Sequence, residues 1–220
     1  MASTKDRILD GSLELFNTKG IQAVTTNHIA DHLKISTGNL YYHYRSKDHI
    51  IQALFERIDL AAREVMAPLP TPITPQQWAQ VFVHGMNIVR RYRFFFANIV
   101  ELAGRDKLLA SQFRALTGWT LDWTIDAIDA LIAQGSMREL AGDDRRRLAE
   151  NVFIIIWNWT GFTVAFRGHE LSHEGDTREG VLHSMLPLMP YFKPKFARDV
   201  RAAIDNAKVF GQERSFLAEP

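Results

Sequence analysis

Between Thr25 and Tyr44 the chain carries two apolar stripes, Ile29, Ala30 and Leu33, then Leu40 and Tyr44. Neither is long enough to hold a helix by itself in water, so both must be buried against each other and against a further element. Thr25 or Thr26 offers an N-cap for the first helix, Lys34 and Ile35 make a tight turn, and Ser36 caps a second helix only about two turns long. Thr37, Gly38, Asn39, Tyr41, Tyr42 and His43 fall off its inner face. Two short helices at this spacing describe a helix-turn-helix, whose second helix enters a DNA major groove.

The third wall comes from a preceding helix, expected from about Thr4 to Lys19, with Ile8, Leu9, Ser12, Leu13 and Phe16 as its stripe and Gly20 as its stop. Ser46 caps a fourth helix, with Asp48 in its first turn, where the helix dipole favours an acid. That helix continues through Ile50, Ile51, Leu54, Phe55, Ile58 and Leu60 to about Met66. It is longer than a three-helix head needs, so part of it is expected to serve a second core. The expected division is a head over residues 1–48, a connecting helix over 49–67 and a larger helical unit over 68–220.

The run Thr25-Thr26-x-x-Ile29-Ala30-x-x-Leu33-x-Ile35-Ser36-x-Gly38-x-Leu40-Tyr41-x-His43-Tyr44-x-Ser46-Lys47-Asp48 resembles the DNA-binding domain of the TetR family of bacterial transcriptional regulators. The likeness covers residues 5–60, roughly a quarter of the chain, with one departure: Tyr44 stands where the family usually has Phe. It implies that Thr26, Asn27, Tyr41 and Lys47 contact phosphates or bases. It also implies a repressor released from its operator by a small-molecule effector, and a four-helix dimer bundle.

By position alone, Thr37, Gly38 and Asn39 lie at the end of the recognition helix that reaches base edges. Asn39 matches the N6 and N7 edge of adenine, and Thr37 matches a base edge or a thymine methyl. Gly38 permits close backbone approach, while Tyr41, Tyr42 and His43 are placed for phosphates or bases further along. Tyr41, Tyr42 and Tyr44 could instead form a plain aromatic cluster. Caps, spacing and the flanking Lys34, Arg45 and Lys47 all agree with DNA binding. One such helix reads only a few base pairs, so a homodimer on a palindromic double-stranded DNA operator is expected.

Beyond Pro68–Pro75, with four prolines in eight residues, Thr74-Pro75-Gln76-Gln77 opens a helix with a capping box. Its apolar face runs from Trp78 through Val81, Phe82, Gly85 and Ile88 to Tyr92. An apolar segment over Phe94–Leu102 follows, then a long helix from about Asp106 to Gln134 and another from Asp143 or Asp144 through Phe166. Helices near 177–189 and 195–209 complete the chain, and these two with 143–167 are the expected dimer interface. No strand pattern competes. The fold class is all-α, an N-terminal three-helix helix-turn-helix domain plus a larger helical effector-binding and dimerisation domain.

Residues 152–166 are apolar nearly all round, and are expected to be buried on several sides, against a cavity and against a second subunit. As a membrane span the stretch is too short, and Asn158, Thr160 and Thr163 interrupt it. The pocket candidates are Phe95, Asn98, Phe113, Trp119, Trp123, Trp157, Asn158 and Phe162, a set suited to a small hydrophobic or aromatic effector. A plain protein core is the alternative.

A net charge of +1 argues against a nonspecific nucleic-acid coat, and the absence of cysteine excludes disulfides and thiolate zinc sites. The polar N-terminus, Met-Ala-Ser-Thr-Lys-Asp-Arg, lacks the apolar core of a signal peptide, so a cytoplasmic protein is expected. His169-Glu170-Leu171-Ser172-His173 is a literal H-E-x-x-H, the string of zinc hydrolases. It lies between Gly168 and Gly175, without a flanking apolar run, and the third-ligand candidates His183 and Glu179 are unmarked. Catalytic zinc needs three ordered ligands. No metal, cofactor or enzymatic activity is therefore expected; a zinc hydrolase and a small-molecule sequestering protein are the alternatives.

Overall fold

The computed structural model describes residues 3–168 and 174–207. Helix α1 (Thr4–Lys19) starts at Ser3, whose Oγ accepts from Asp6 N at 3.1 Å, and stops at Gly20 with φ 80°. For α2 (Thr26–Leu33) the cap is Thr25: its Oγ1 accepts from His28 N, and Thr25 N donates to His28 Nδ1, both at 3.3 Å. The turn passes through Lys34 at φ 54°, a left-handed conformation uncommon outside glycine and asparagine. Ser36 and Ser46 then cap α3 (Thr37–His43) and α4 (Lys47–Val65), accepting from Asn39 N and His49 N at 3.1 and 3.2 Å.

These short helices stand because their stripes converge. Ile8, Phe16, Ile29, Leu40 and Ile50 are all buried, each contributing about 1.5–3 kcal/mol of transfer free energy. Arg57 of α4 clamps α1, with Nη2 on Asp6 Oδ1 at 2.8 Å and Nη1 on Asp10 Oδ1 at 2.6 Å. Helix α4 also serves the second core, where Phe55 meets the rings of Phe95 at 5.4 Å and Phe113 at 6.3 Å.

The body consists of α5 (Pro75–Arg91), α6 (Arg93–Ala97), α7 (Ile99–Arg105), α8 (Lys107–Ala133), α9 (Asp144–Phe162), α10 (Glu174–Met185) and α11 (Pro194–Asn206). The segment over Phe94–Leu102 is broken in two. Asn98 Nδ2 donates to Phe94 O at 2.6 Å and Asn98 N turns to Phe95 O at 3.1 Å, so the α-helical ladder stops there. The proline-rich break is anchored at the buried Ile73. Gln134 accepts from Ile73 N at 2.7 Å and donates to Ile73 O at 2.9 Å.

Helix α9 runs into a π-helical turn, Thr163–Arg167, and Gly168 at φ 74° closes it. The expectation that this stretch is buried on several sides does not hold within one chain. Ile154 is 56% exposed and Phe166 80%, with Phe162 and Val164 also open. Helix α11 packs on α5 and its apolar stripe, Phe196, Val200 and Ile204, is buried within the chain; residues 208–209 of the expected helix lie outside the described residues. Among the described residues there is no strand, only a single bridge between Met137 and Phe192.

Candidate functional site

Around α3 the structure presents polar tips on a rigid support. Asn27, Thr37, Gly38, Asn39, Tyr41 and Tyr42 are exposed, Tyr42 to 86%, while Thr26 and His43 are half-buried. Thr26 Oγ1 and the Tyr41 hydroxyl share a hydrogen bond of 3.1 Å, which joins the first turn of α2 to α3. The His43 ring meets Tyr42 edge-on at 5.2 Å. A Cβ on Gly38 would find only Ser36 Oγ, at 3.9 Å, so nothing within the chain demands glycine there. Lys34 and Arg45 flank this face and are exposed.

Lys47 is differently placed. Its Nζ donates to Ile21 O at 2.8 Å and to Val24 O at 3.0 Å, closing the loop between α1 and α2. The side chain therefore fixes where α2 begins, a role its position in the sequence did not suggest. Tyr44 fills the inner face as expected, but its hydroxyl is buried without a partner, and burial pushes its pKa up to about 12.

The body holds a cavity of about 100 Å³. Helix α4 lines it with Ile58, Ala62 and Val65, its C-cap adds Met66, and α5 contributes the face from Trp78 to Val89. Phe96, Thr120, Thr124, Phe153 and Ile156 contribute from α6, α8 and α9, and no charged side chain is among the lining residues. Thr120 and Thr124 donate to Leu116 O and Thr120 O, at 2.9 and 2.8 Å, within their own helix.

Of the expected pocket residues, Trp123 and Trp157 line this cavity. Phe113 and Phe95 stand behind it, with Phe113 4.3 Å from the Trp157 ring and 5.9 Å from Phe95. Trp119 lies under the Arg63 guanidinium at 4.7 Å, and Asn98 is folded onto its own helix. Asn158 and Phe162 are on the outer side of α9: Asn158 Nδ2 donates to Ile154 O at 2.8 Å, and Phe162 stacks between Trp159 and Phe166. Successive helical residues point about 100° apart, so a Trp157 that faces inward turns Asn158 out. The faces of α4 and α5 were missed as lining, although their i, i+3, i+4 spacing was visible.

The H-E-x-x-H string, His169–His173, lies outside the described residues. Glu179 pairs with Arg167, and the His183 ring lies 4.9 Å from Trp159. Among the described residues no group of three His, Asp or Glu could hold a metal, and no helix is long and apolar enough to cross a membrane.

Two family profiles match the chain: bacterial regulatory proteins of the tetR family over residues 8–54, and a bacterial transcriptional repressor, TetR, over residues 59–200. The crystal structure of a TetR-family transcriptional regulator from Marinobacter aquaeolei VT8 superimposes with a TM-score of 0.84 at 31% identity, covering 93% of this chain and 98% of that one. SmeT, the repressor of the Stenotrophomonas maltophilia multidrug efflux pump SmeDEF, shares the fold at a TM-score of 0.62 and 20% identity, over 88% and 93% of the two chains. Tetracycline repressor protein class E from Escherichia coli is 33% identical over 75 residues, and the match spans 34% of each chain.

Proposed function

The chain belongs to the TetR family of bacterial transcriptional regulators, and on that premise we propose that it is a cytoplasmic, homodimeric repressor that leaves a palindromic operator when a small apolar effector fills its cavity. The observation that carries this reading is the course of α4. It is capped by Ser46, directly after the recognition helix, and its later turns and C-cap line the cavity with Ile58, Ala62, Val65 and Met66. A change in the cavity is therefore applied to the element on which the DNA-reading face is mounted.

The exposed apolar residues of α9 and the π-helical turn that continues it, Ile154, Phe162, Val164 and Phe166, support a two-fold interface. Since α11 uses its apolar stripe within the chain, the interface assigned is α9 with α10, and α11 is left out. The effector must bind the two states unequally. Moving the equilibrium from 1:99 to 99:1 takes about 5.5 kcal/mol of differential affinity.

A gel shift with the DNA upstream of the chain's own coding region tests the reading, with sedimentation to give the oligomeric state. A retarded band from a dimer is expected. A monomer at micromolar concentration, or no shift with any upstream fragment, would leave a small-molecule sequestering protein in its place.

A further inference from the structure

We infer that the cavity selects a neutral, ring-sized, largely hydrocarbon molecule that carries one hydrogen-bond acceptor, and that Trp78 Nε1 is the group that recognises the acceptor. This rests on the reading of the cavity as an effector site and specifies what enters it.

Charge comes first. No Asp, Glu, Lys, Arg or His lines the cavity. An ion moved there would lose its hydration with no opposite charge to replace it, so both acids and amines are rejected. Size comes next. Apolar cavities of about 150 Å³ hold a benzene ring, so about 100 Å³ sets the upper limit at one small ring, no larger than benzene.

The polar inventory then sets the chemistry. Thr120 and Thr124 already direct their protons to backbone carbonyls. Trp78 is fully buried, lines the cavity, and its Nε1 has no hydrogen-bond partner. Indole nitrogen is a donor only, so the group that satisfies it must be an acceptor. The Trp78 ring packs against Phe82 at 5.3 Å and, edge-on, against Phe192 at 6.2 Å, so the indole is held in place before any ligand arrives. A ring cation held by aromatic faces would leave the donor unsatisfied, which argues for a ketone, ester or ether over an ammonium.

The test uses the full chain and three probes of one shape: cyclopentanone, methylenecyclopentane, which replaces the carbonyl oxygen with CH2, and cyclopentylammonium. Affinities come from titration calorimetry, and the indole N–H signals of the five tryptophans are followed by NMR. Cyclopentanone is expected to bind about tenfold more tightly than methylenecyclopentane, the factor of one net hydrogen bond. It should also shift one indole signal, the one missing in Trp78→Phe. Equal affinities of the ketone and the alkene in the unmodified chain, or tighter binding of the ammonium, overturn the inference and need no variant to do so. A shift in a signal that survives Trp78→Phe overturns the assignment of the donor. The gel shift without ligand is read separately: a chain that binds the upstream DNA but none of the probes refutes this inference alone, whereas one that binds the ketone but no DNA refutes the repressor reading alone.

Discussion

Gln52 of α4 donates through Nε2 to Asp106 Oδ2 at 2.6 Å, while Asp106 Oδ1 accepts from Leu108 N and Leu109 N at 2.9 and 3.1 Å. One carboxylate thus caps α8 and holds the connecting helix. Gln52→Ala removes the tie and leaves the cap, so it is expected to cost about 1.5–3 kcal/mol of stability by urea unfolding, the scale of a hydrogen bond to a charged group. Its larger effect is on transmission: the ligand-dependent loss of operator affinity in a gel shift should shrink. An unchanged ligand response would assign the coupling elsewhere.

The same carboxylate gives the acid response its sign. Burial would raise the Asp106 pKa, but hydrogen bonds from Leu109, Gln52 and Leu108 outweigh it and hold the group below its ordinary 3.8. Asp6 is held below the same value by the Ser3 hydroxyl, against burial and with help from Arg57. A depressed carboxylate stabilises fully above its unfolded pKa, and that contribution is lost as pH falls through the folded value. Urea midpoints are expected to be level down to about pH 4 on account of these groups and to fall below it, less steeply in Asp106→Asn.

Asn39 and Lys47 separate two contributions to DNA binding. Asn39→Ala is expected to lose about 1–3 kcal/mol of discrimination between operator and scrambled sequence. Lys47→Ala is expected to weaken binding to both sequences alike, because the loop that carries the start of α2 loses its two carbonyl ties. It should also destabilise the chain by about 1.5–3 kcal/mol, the scale of a charged hydrogen bond. Binding curves at several salt concentrations check both, and sequence-dependent loss in Lys47→Ala would contradict the loop role.

Tyr44→Phe removes a buried hydroxyl that has no partner. The ring remains, so the variant is expected to be more stable, by about 1 kcal/mol, measured as a rise in the urea midpoint without a change in slope. A drop in stability would mean that the hydroxyl is satisfied in solution.

Gly180 of α10 packs against both α5 and α9. A Cβ there would stand 2.7 Å from both Met86 Cε and Trp159 Nε1. Gly180→Ala should gain helix propensity yet lose about 1–3 kcal/mol overall in thermal or urea unfolding, since a rigid indole has to move.

The head was readable because its determinants are local. Ser36 and Ser46 each act within one turn, as does the Thr74–Gln77 box that opens the body, and a sequence displays them directly. Only the choice between Thr25 and Thr26 needed structure, which His28 settles by closing a capping box that a Glu or Gln usually forms. The cavity was far less readable. Periodicity tells which residues of α9 share a face, but not which face sees the cavity, and Trp157 and Asn158 came out on different sides for that reason. Asn98 breaks its helix through a side-chain hydrogen bond that competes with the backbone ladder. Lys47 was hidden for the opposite reason: its partners are carbonyls, which any residue supplies.

Asn17, in the last turn of α1, uses both ends of its amide on the body: Nδ2 donates to Arg91 O at 2.8 Å, and Oδ1 accepts from Phe94 N at 3.1 Å. Gln52 on Asp106, Gln22 on Glu101, Asp48 against Arg105 and the Phe16 ring against Phe94 add further ties between the body and the helices at its head end. Several separated ties leave a rigid body no free axis. If they hold while the effector enters, the head cannot swing by itself; it travels only as far as the body helices that grip it travel.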